Sequence, residues 1–149
     1  MKLRKLLALA AVFHVDWFLW RLYTWLYNLL FMGMEVLPMF ARNLIFKGLF
    51  HHIGHINLID YKTYFRYPSK IQIGENVSIN RDCVFLASGH SETTVDIEIG
   101  DDVVLSPNVK LLSAGHDHRF MKLPNTFGKI TIGDSVWSGS AKARLFWRA

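Results

Sequence analysis

Three segments of this chain open alike: "IQIGEN" at Ile71, "IEIGDD" at Ile97 and "ITIGDS" at Ile130. Each is an apolar, polar, apolar triplet followed by glycine and a pair of acidic or polar residues. Read onward in sixes, the first two continue as "VSINRD CVFLAS" and "VVLSPN VKLLSA", and the first and third place of every six is apolar. Those twelve places are Ile71, Ile73, Val77, Ile79, Cys83, Phe85, Ile97, Ile99, Val103, Leu105, Val109 and Leu111. A period of two over a few residues marks a strand with one buried face, and the glycine, Asn, Asp or Pro that follows marks a corner. Each six is therefore one short strand and one corner, and three sixes close a triangular coil of eighteen residues, the unit of a solenoid.

The starts at 71, 97 and 130 lie 26 and 33 residues apart, which exceeds one coil by eight and by fifteen. Two loops, 89–96 and 115–129, are thus extruded, both from the corner that ends a coil. A solenoid keeps its core constant and varies its loops, so this edge is where function is sought. The longer loop opens with "GHDHRF", which places His116, Asp117, His118 and Arg119 together at its mouth.

The rest of the chain fits less neatly. "IGHINLIDYKTYFRYPSK" fills the eighteen residues before Ile71 and reads as a degenerate first coil, in which His55 or Asn57 turns inward depending on register. The coil at Ile130 supplies Ile130, Ile132 and Val136, but its remaining inward places read Ser138, Lys142 and Arg144. Two unpaired cations in a narrow apolar prism would cost several kcal/mol each, so the ladder is expected to fray after Val136. The tail "AKARLFWRA" reads as a sequence that has lost the repeat, leaving the solenoid incomplete at its C-terminal end.

Residues 1–50 are of another kind. Lys2, Arg4 and Lys5 precede an apolar run, but no small-residue cleavage pattern follows. In the aromatic stretch beyond it, His14, Arg21, Asn28 and Glu35 recur every seven residues, which on a helix makes one narrow polar stripe. This suits a helix in the membrane interface, with its Trp and Tyr at headgroup depth and its basic leader near anionic lipid. A true span and a helix packed on the protein or on a sister subunit are the other readings. Pro38 should end or kink this helix, and "MFARNLIFKGLF" reads as a second, shorter amphipathic helix leading into "HHIGH". His51 and His55 would share a face if that helix continued; without an acidic or thiol partner nearby they read as a solvated end. Two regions follow: 1–50 helical and hydrophobic, 51–149 solenoid.

At 51% hydrophobic and 19% charged the chain can bury a core, and its net charge of +5 is only a weak pointer to an anionic ligand or surface. Cys83 alone allows no internal disulfide and no thiol metal cluster, and reads as core.

The hexads resemble those of the hexapeptide-repeat acyltransferases, in particular the galactoside and maltose O-acetyltransferase branch and related exopolysaccharide acetyltransferases. "IGENVSIN", "IGDDVVLSPNV", "GHD" and "ITIGDSVW.GS" carry the resemblance in order over residues 71–140. It implies an all-β, left-handed parallel β-helix that acts as a homotrimer, with sites between subunits. It implies acetyl transfer from acetyl-CoA to a sugar hydroxyl, with surface polysaccharide or a lipid-linked precursor favoured by the hydrophobic N-terminal third, and a cytoplasmic or inner-membrane-face setting. No metal and no nucleic-acid partner is expected.

A general base is needed because a sugar alcohol is barely ionised at neutral pH, and histidine titrates near that pH. His116 matches the family's catalytic histidine, and His118 reads as a solvated neighbour. Asn80 matches an acceptor-contacting asparagine or is a left-handed corner residue, and Asp117 joins it as a substrate-binding candidate that could orient an imidazole. Trp137, Gly139 and Ser140 match positions beside the CoA arm. His90, in the shorter loop, has no matched role. Family members continue through further coils that complete the CoA site, so the alternative is an inactive remnant that binds only a membrane or a partner. A zinc hydratase using His90, His116 and His118 fits the landmarks poorly.

Overall fold

The computed structural model describes residues 2–117, 119–139 and 144–146, with side chains from Val15 onward and none for 144–146. The chain forms two compact units, Met1–Leu37 and Pro38–Ala149.

The first unit is one long helix, α1 (Lys2–Met34). Its aromatic residues lie open to solvent, with Trp17, Phe18, Trp20 and Trp25 all more than half exposed. Arg21 stacks its guanidinium 3.9 Å from the centre of the Trp17 ring, which shields part of the charge. No helix among the described residues is long and apolar enough to cross a membrane.

The second unit opens with α2 (Met39–Leu49), entered at Pro38, where the fixed φ of −59° suits a helix start and the missing N–H costs nothing. Three four-stranded parallel sheets follow and form the faces of a prism. Face A orders β1 (His52–Ile53), β4 (Ile71–Ile73), β7 (Ile97–Ile99) and β12 (Ile130–Ile132). Face B orders β2 (Leu58–Ile59), β5 (Ser78–Ile79), β8 (Val104–Leu105) and β13 (Trp137–Ser138). Face C orders β3 (Tyr64–Arg66), β6 (Val84–Leu86), β9 (Lys110–Leu112) and β14 (Arg144–Phe146). Every neighbour pair on these faces is parallel, as in a left-handed β-helix built of successive coils.

All twelve places read from the hexads are at most 1% exposed, so the sixfold pattern does specify the core. The phenyl rings of Phe65 and Phe85 stack at 4.7 Å along the axis, and Phe46 of α2 meets Phe65 edge-on at 5.7 Å. α2 thereby closes the first coil. Its Arg42, 1% exposed, donates to the carbonyls of Ile59 and Asp60 at 3.3 and 3.4 Å, satisfying acceptors at the prism's end.

The corners use left-handed backbone at Lys62, Asn76, Asp82, Asp102, Asn108 and Ser135, and no glycine has positive φ. The glycine of "IG" serves close approach instead. A β-carbon on Gly100 would stand 2.9 Å from the Asp134 backbone nitrogen and collide with the Asp134 carboxylate. That carboxylate belongs to a ladder: Asp134 accepts the N–H of Asp101 at 2.9 Å, Asp101 that of Glu75 at 2.8 Å, and Glu75 that of His55 at 2.7 Å.

Two readings of the end coils are corrected. The first coil is ordered and regular, but its register mates stand 20 positions apart: Ile53 pairs with Ile73, Ile59 with Ile79 and Phe65 with Phe85. The 3-10 turn Pro68–Lys70, entered through left-handed Tyr67, adds the extra length. Asn57 therefore takes the inward place beside Val77, its Oδ1 accepting the Val77 N–H at 2.7 Å and its Nδ2 donating to the Gly74 carbonyl at 2.9 Å. His55 falls on the corner, where its Nδ1 lies 3.0 Å from Glu75 Oε1; an acidic partner exists after all. His55's imidazole and N–H hold the Glu75 carboxyl below the usual carboxylate range.

The ladder also does not fray after Val136. β13 pairs with β8 and β14 with β9, and the register sets Leu145, not Arg144, opposite Leu111. One extra residue between the strands shifts the apolar position into line. Val136 is 37% exposed, against 0% for Val103, its counterpart one coil earlier. Lys142 lies outside the described residues.

Candidate active site

The fifteen-residue extrusion is a hairpin. β10 (Ala114–His116) pairs antiparallel with β11 (Asn125–Phe127), with His116 opposite Asn125. Its base is tied to the solenoid, where Ser113 N–H donates to Leu86 O at 3.0 Å and Gly128 N–H to Ser113 O at 2.9 Å. The hairpin therefore projects from the edge between faces C and A on a rigid footing.

His116 is exposed, and its Nδ1 lies 3.1 Å from the Leu123 carbonyl oxygen. A carbonyl can only accept, so this bond requires the proton on Nδ1; in the neutral ring the lone pair is then on Nε2, the tautomer a proton acceptor needs. Leu123 holds φ at 45°, a left-handed conformation costly for a leucine, and its carbonyl is what orients the ring. Sequence reasoning missed this partner because a backbone oxygen leaves no side-chain signature.

Asp117 pairs with Arg119. Its carboxylate accepts from Arg119 Nε at 2.9 Å and Nη2 at 2.7 Å, and its own N–H donates to Pro124 O at 2.9 Å. This pair stiffens the hairpin at the residue after His116 and raises the Arg119 pKa above its ordinary value. His118 lies outside the described residues.

Asn80 stands on a different edge, between faces B and C. Its Nδ2 donates to Leu105 O at 2.8 Å, and its backbone conformation is not left-handed; Asp82 takes that role. The pairings of Ile79 with Leu105 and of Leu105 with Ser138 stack Asn80, Ser106 and Gly139 at this one edge, one from each of three successive coils. Trp137 sits on face B beside Val104, 76% exposed, and Gly139 has open space where a β-carbon would be. Ser140 lies outside the described residues. Asn80, Trp137 and Gly139 thus share one side of the prism, and His116 occupies another edge of the same chain.

No family model matches the chain. Over 105 residues it is 34% identical to the galactoside O-acetyltransferase of Escherichia coli strain K12, a match that takes in 66% of this chain and 47% of that protein. Its fold matches a hexapeptide-repeat-containing acetyltransferase of Vibrio cholerae O1 biovar eltor, solved with acetyl-CoA, at a TM-score of 0.64 and 24% identity over 74% of this chain and 60% of that one. By sequence and fold it is similar to hexapeptide-repeat acetyltransferases. A second Vibrio cholerae structure of such an acetyltransferase gives a TM-score of 0.63 at 25% identity, covering 74% and 62% of the two chains. The chain spans half or less of the length of the curated relatives it matches, 47% of the galactoside O-acetyltransferase.

Proposed function

We propose that this chain transfers an acetyl group from acetyl-CoA to a sugar hydroxyl, with His116 as the general base. The observation that carries this is the Leu123 carbonyl on His116 Nδ1, which occupies that nitrogen and leaves Nε2 of the exposed ring for the acceptor hydroxyl on a braced hairpin. The galactoside O-acetyltransferase relative supports a sugar acceptor, and the neighbour solved with acetyl-CoA supports the donor. In the reaction, Nε2 takes the hydroxyl proton as the oxygen bonds to the thioester carbonyl carbon. The carbon–sulfur bond then breaks and the imidazolium returns a proton to the leaving thiolate, a role worth about 100- to 10,000-fold in rate.

Asn80 is assigned to the acceptor, Asp117 to bracing the hairpin beside it, and Trp137, Gly139 and Ser140 to the CoA arm. Because Asn80 and His116 lie on different edges of one chain, we assign the complete site to the junction between copies in a trimer, where one protomer's hairpin meets its partner's Asn80 edge. Residues 1–50 are assigned to an anionic membrane surface, where exposed Trp17, Trp20, Tyr23 and Trp25 suit the interface and surface polysaccharide or its lipid-linked precursor would be at hand.

The test is turnover of the purified chain with acetyl-CoA and a panel of glycosides, beside His116→Ala. Transfer lost in the variant supports the base assignment, and transfer unaffected removes it. Absence of both transfer and CoA binding would leave the remnant reading in place. Sedimentation at trimer mass and with phosphatidylserine vesicles tests the other two assignments.

A further inference from the structure

The shorter extruded loop repeats the opening of the longer one. "LASGHS" at 86–91 and "LSAGHD" at 112–117 are 26 residues apart, the same offset as the coil starts at 71 and 97. Leu86 pairs with Leu112, so His90 follows its strand as His116 follows the next one. The two loops leave the same edge from adjacent coils, whose strands stand about 4.8 Å apart. They also return together, for Ile130 N–H, just past the hairpin, donates at 2.9 Å to the carbonyl of Asp96, the last residue of the short loop.

The short loop is built to hold one shape. Asp96, 3% exposed, accepts the Ser88 N–H at 2.8 Å and the hydroxyls of Ser91 and Thr93. Lys70 reaches over from the preceding coil and donates to Ser91 O at 2.6 Å, Ser91 Oγ at 2.7 Å and Thr93 O at 3.2 Å. Gly89 presses on the Tyr67 ring so closely that a β-carbon would stand 2.7 Å from its Cζ. A buried carboxylate and a lysine thus fix a loop whose His90 is exposed, its N–H bonded to Ser88 Oγ at 3.1 Å. A loop that only joined two strands would not need this bracing.

We propose that His90 is a second, acceptor-binding imidazole of the same site, which hydrogen-bonds a hydroxyl beside the one that His116 deprotonates. The acceptor is then a polyol read across two adjacent coils, and His90 sets which of its hydroxyls faces the base. This rests on the acetyl-transfer reading above.

The experiment uses the full chain with acetyl-CoA and a galactoside, comparing wild type, His90→Ala, His90→Gln and Glu92→Ala, the last an exposed neighbour on the same loop. His90→Ala should raise the acceptor KM about 5- to 10-fold, the weight of one hydrogen bond, with the acetyl-CoA KM unmoved. His90→Gln should recover part of it, and Glu92→Ala should behave as wild type. An acceptor lacking one ring hydroxyl at a time should show one position whose removal costs wild type but not His90→Ala. An unchanged acceptor KM, or an equal effect from Glu92→Ala, overturns the proposal. Should wild type transfer nothing, acetyl transfer itself fails, and imidazole carbon signals titrated with the galactoside decide the matter. Joint movement of the His90 and His116 signals supports the shared site; movement of His116 alone, or of neither, overturns it.

Discussion

The Asp134 carboxylate accepts the backbone N–H of Asp101 at 2.9 Å, one coil back, just as Asp101 accepts that of Glu75 at 2.8 Å. Both bonds cross the space that a side chain on the intervening glycine would fill. Gly100→Ala drives a methyl into the Asp134 carboxylate and backbone, whereas Gly133 has nothing within 4 Å. Gly100→Ala should lose about 1–3 kcal/mol, the usual toll of overpacking, and Gly133→Ala should stay within about 0.5 kcal/mol of wild type. Paired urea melts read the difference, and equal losses would refute the close-approach argument.

His116 is exposed and, among the described residues, its ring bonds only to the Leu123 carbonyl. His116→Ala should leave thermal unfolding unchanged while lowering kcat about 100- to 10,000-fold. A variant that loses stability in step with activity would mean the imidazole serves the hairpin rather than the reaction.

The axial stack of Phe65 and Phe85, both 0% exposed, fills the centre of the first two coils. Phe85→Ala removes one member and leaves a cavity that the corner ladders keep from collapsing. The expected loss is about 3–5 kcal/mol, measured by chemical denaturation. A loss under 1 kcal/mol would show the prism to be more compliant than its bonding suggests.

Burial pushes the Cys83 thiol above its ordinary range. The unfolded chain therefore ionises first on raising the pH. The thiol's contribution to stability is complete below the unfolded value, near 8.5, and declines as pH rises from there through the folded one. Denaturation midpoints should fall more steeply between pH 8 and about 10 in wild type than in Cys83→Ala, which lacks the titrating group. Native Cys83 should resist a thiol reagent until the chain unfolds; prompt labelling would contradict its burial.

The prism's interior was legible because two rules coincide at every hexad: alternation names the inward side chains and the polar pair names the corner. Places such as Cys83 and Phe85 could be read without ambiguity. The end coils were harder because register is arithmetic, and small insertions upset it. Two residues of turn at Pro68–Lys70 moved Asn57 inward rather than His55, and one residue beyond Ser138 moved Leu145 into the place assigned to Arg144. His116 was visible through its motif and its loop. The carbonyl that sets its tautomer, the hairpin pairing and the Lys70–Asp96 bracing of the other loop depend on backbone paths that composition does not encode.

The ladder at the "IG" corner runs one way, since each carboxylate reaches back to the coil before it. A chain leaving the ribosome makes its coils in that same order, so a freshly emerged turn holds an open amide at this corner until its successor arrives and latches it. Each new turn acts as the clasp of the last.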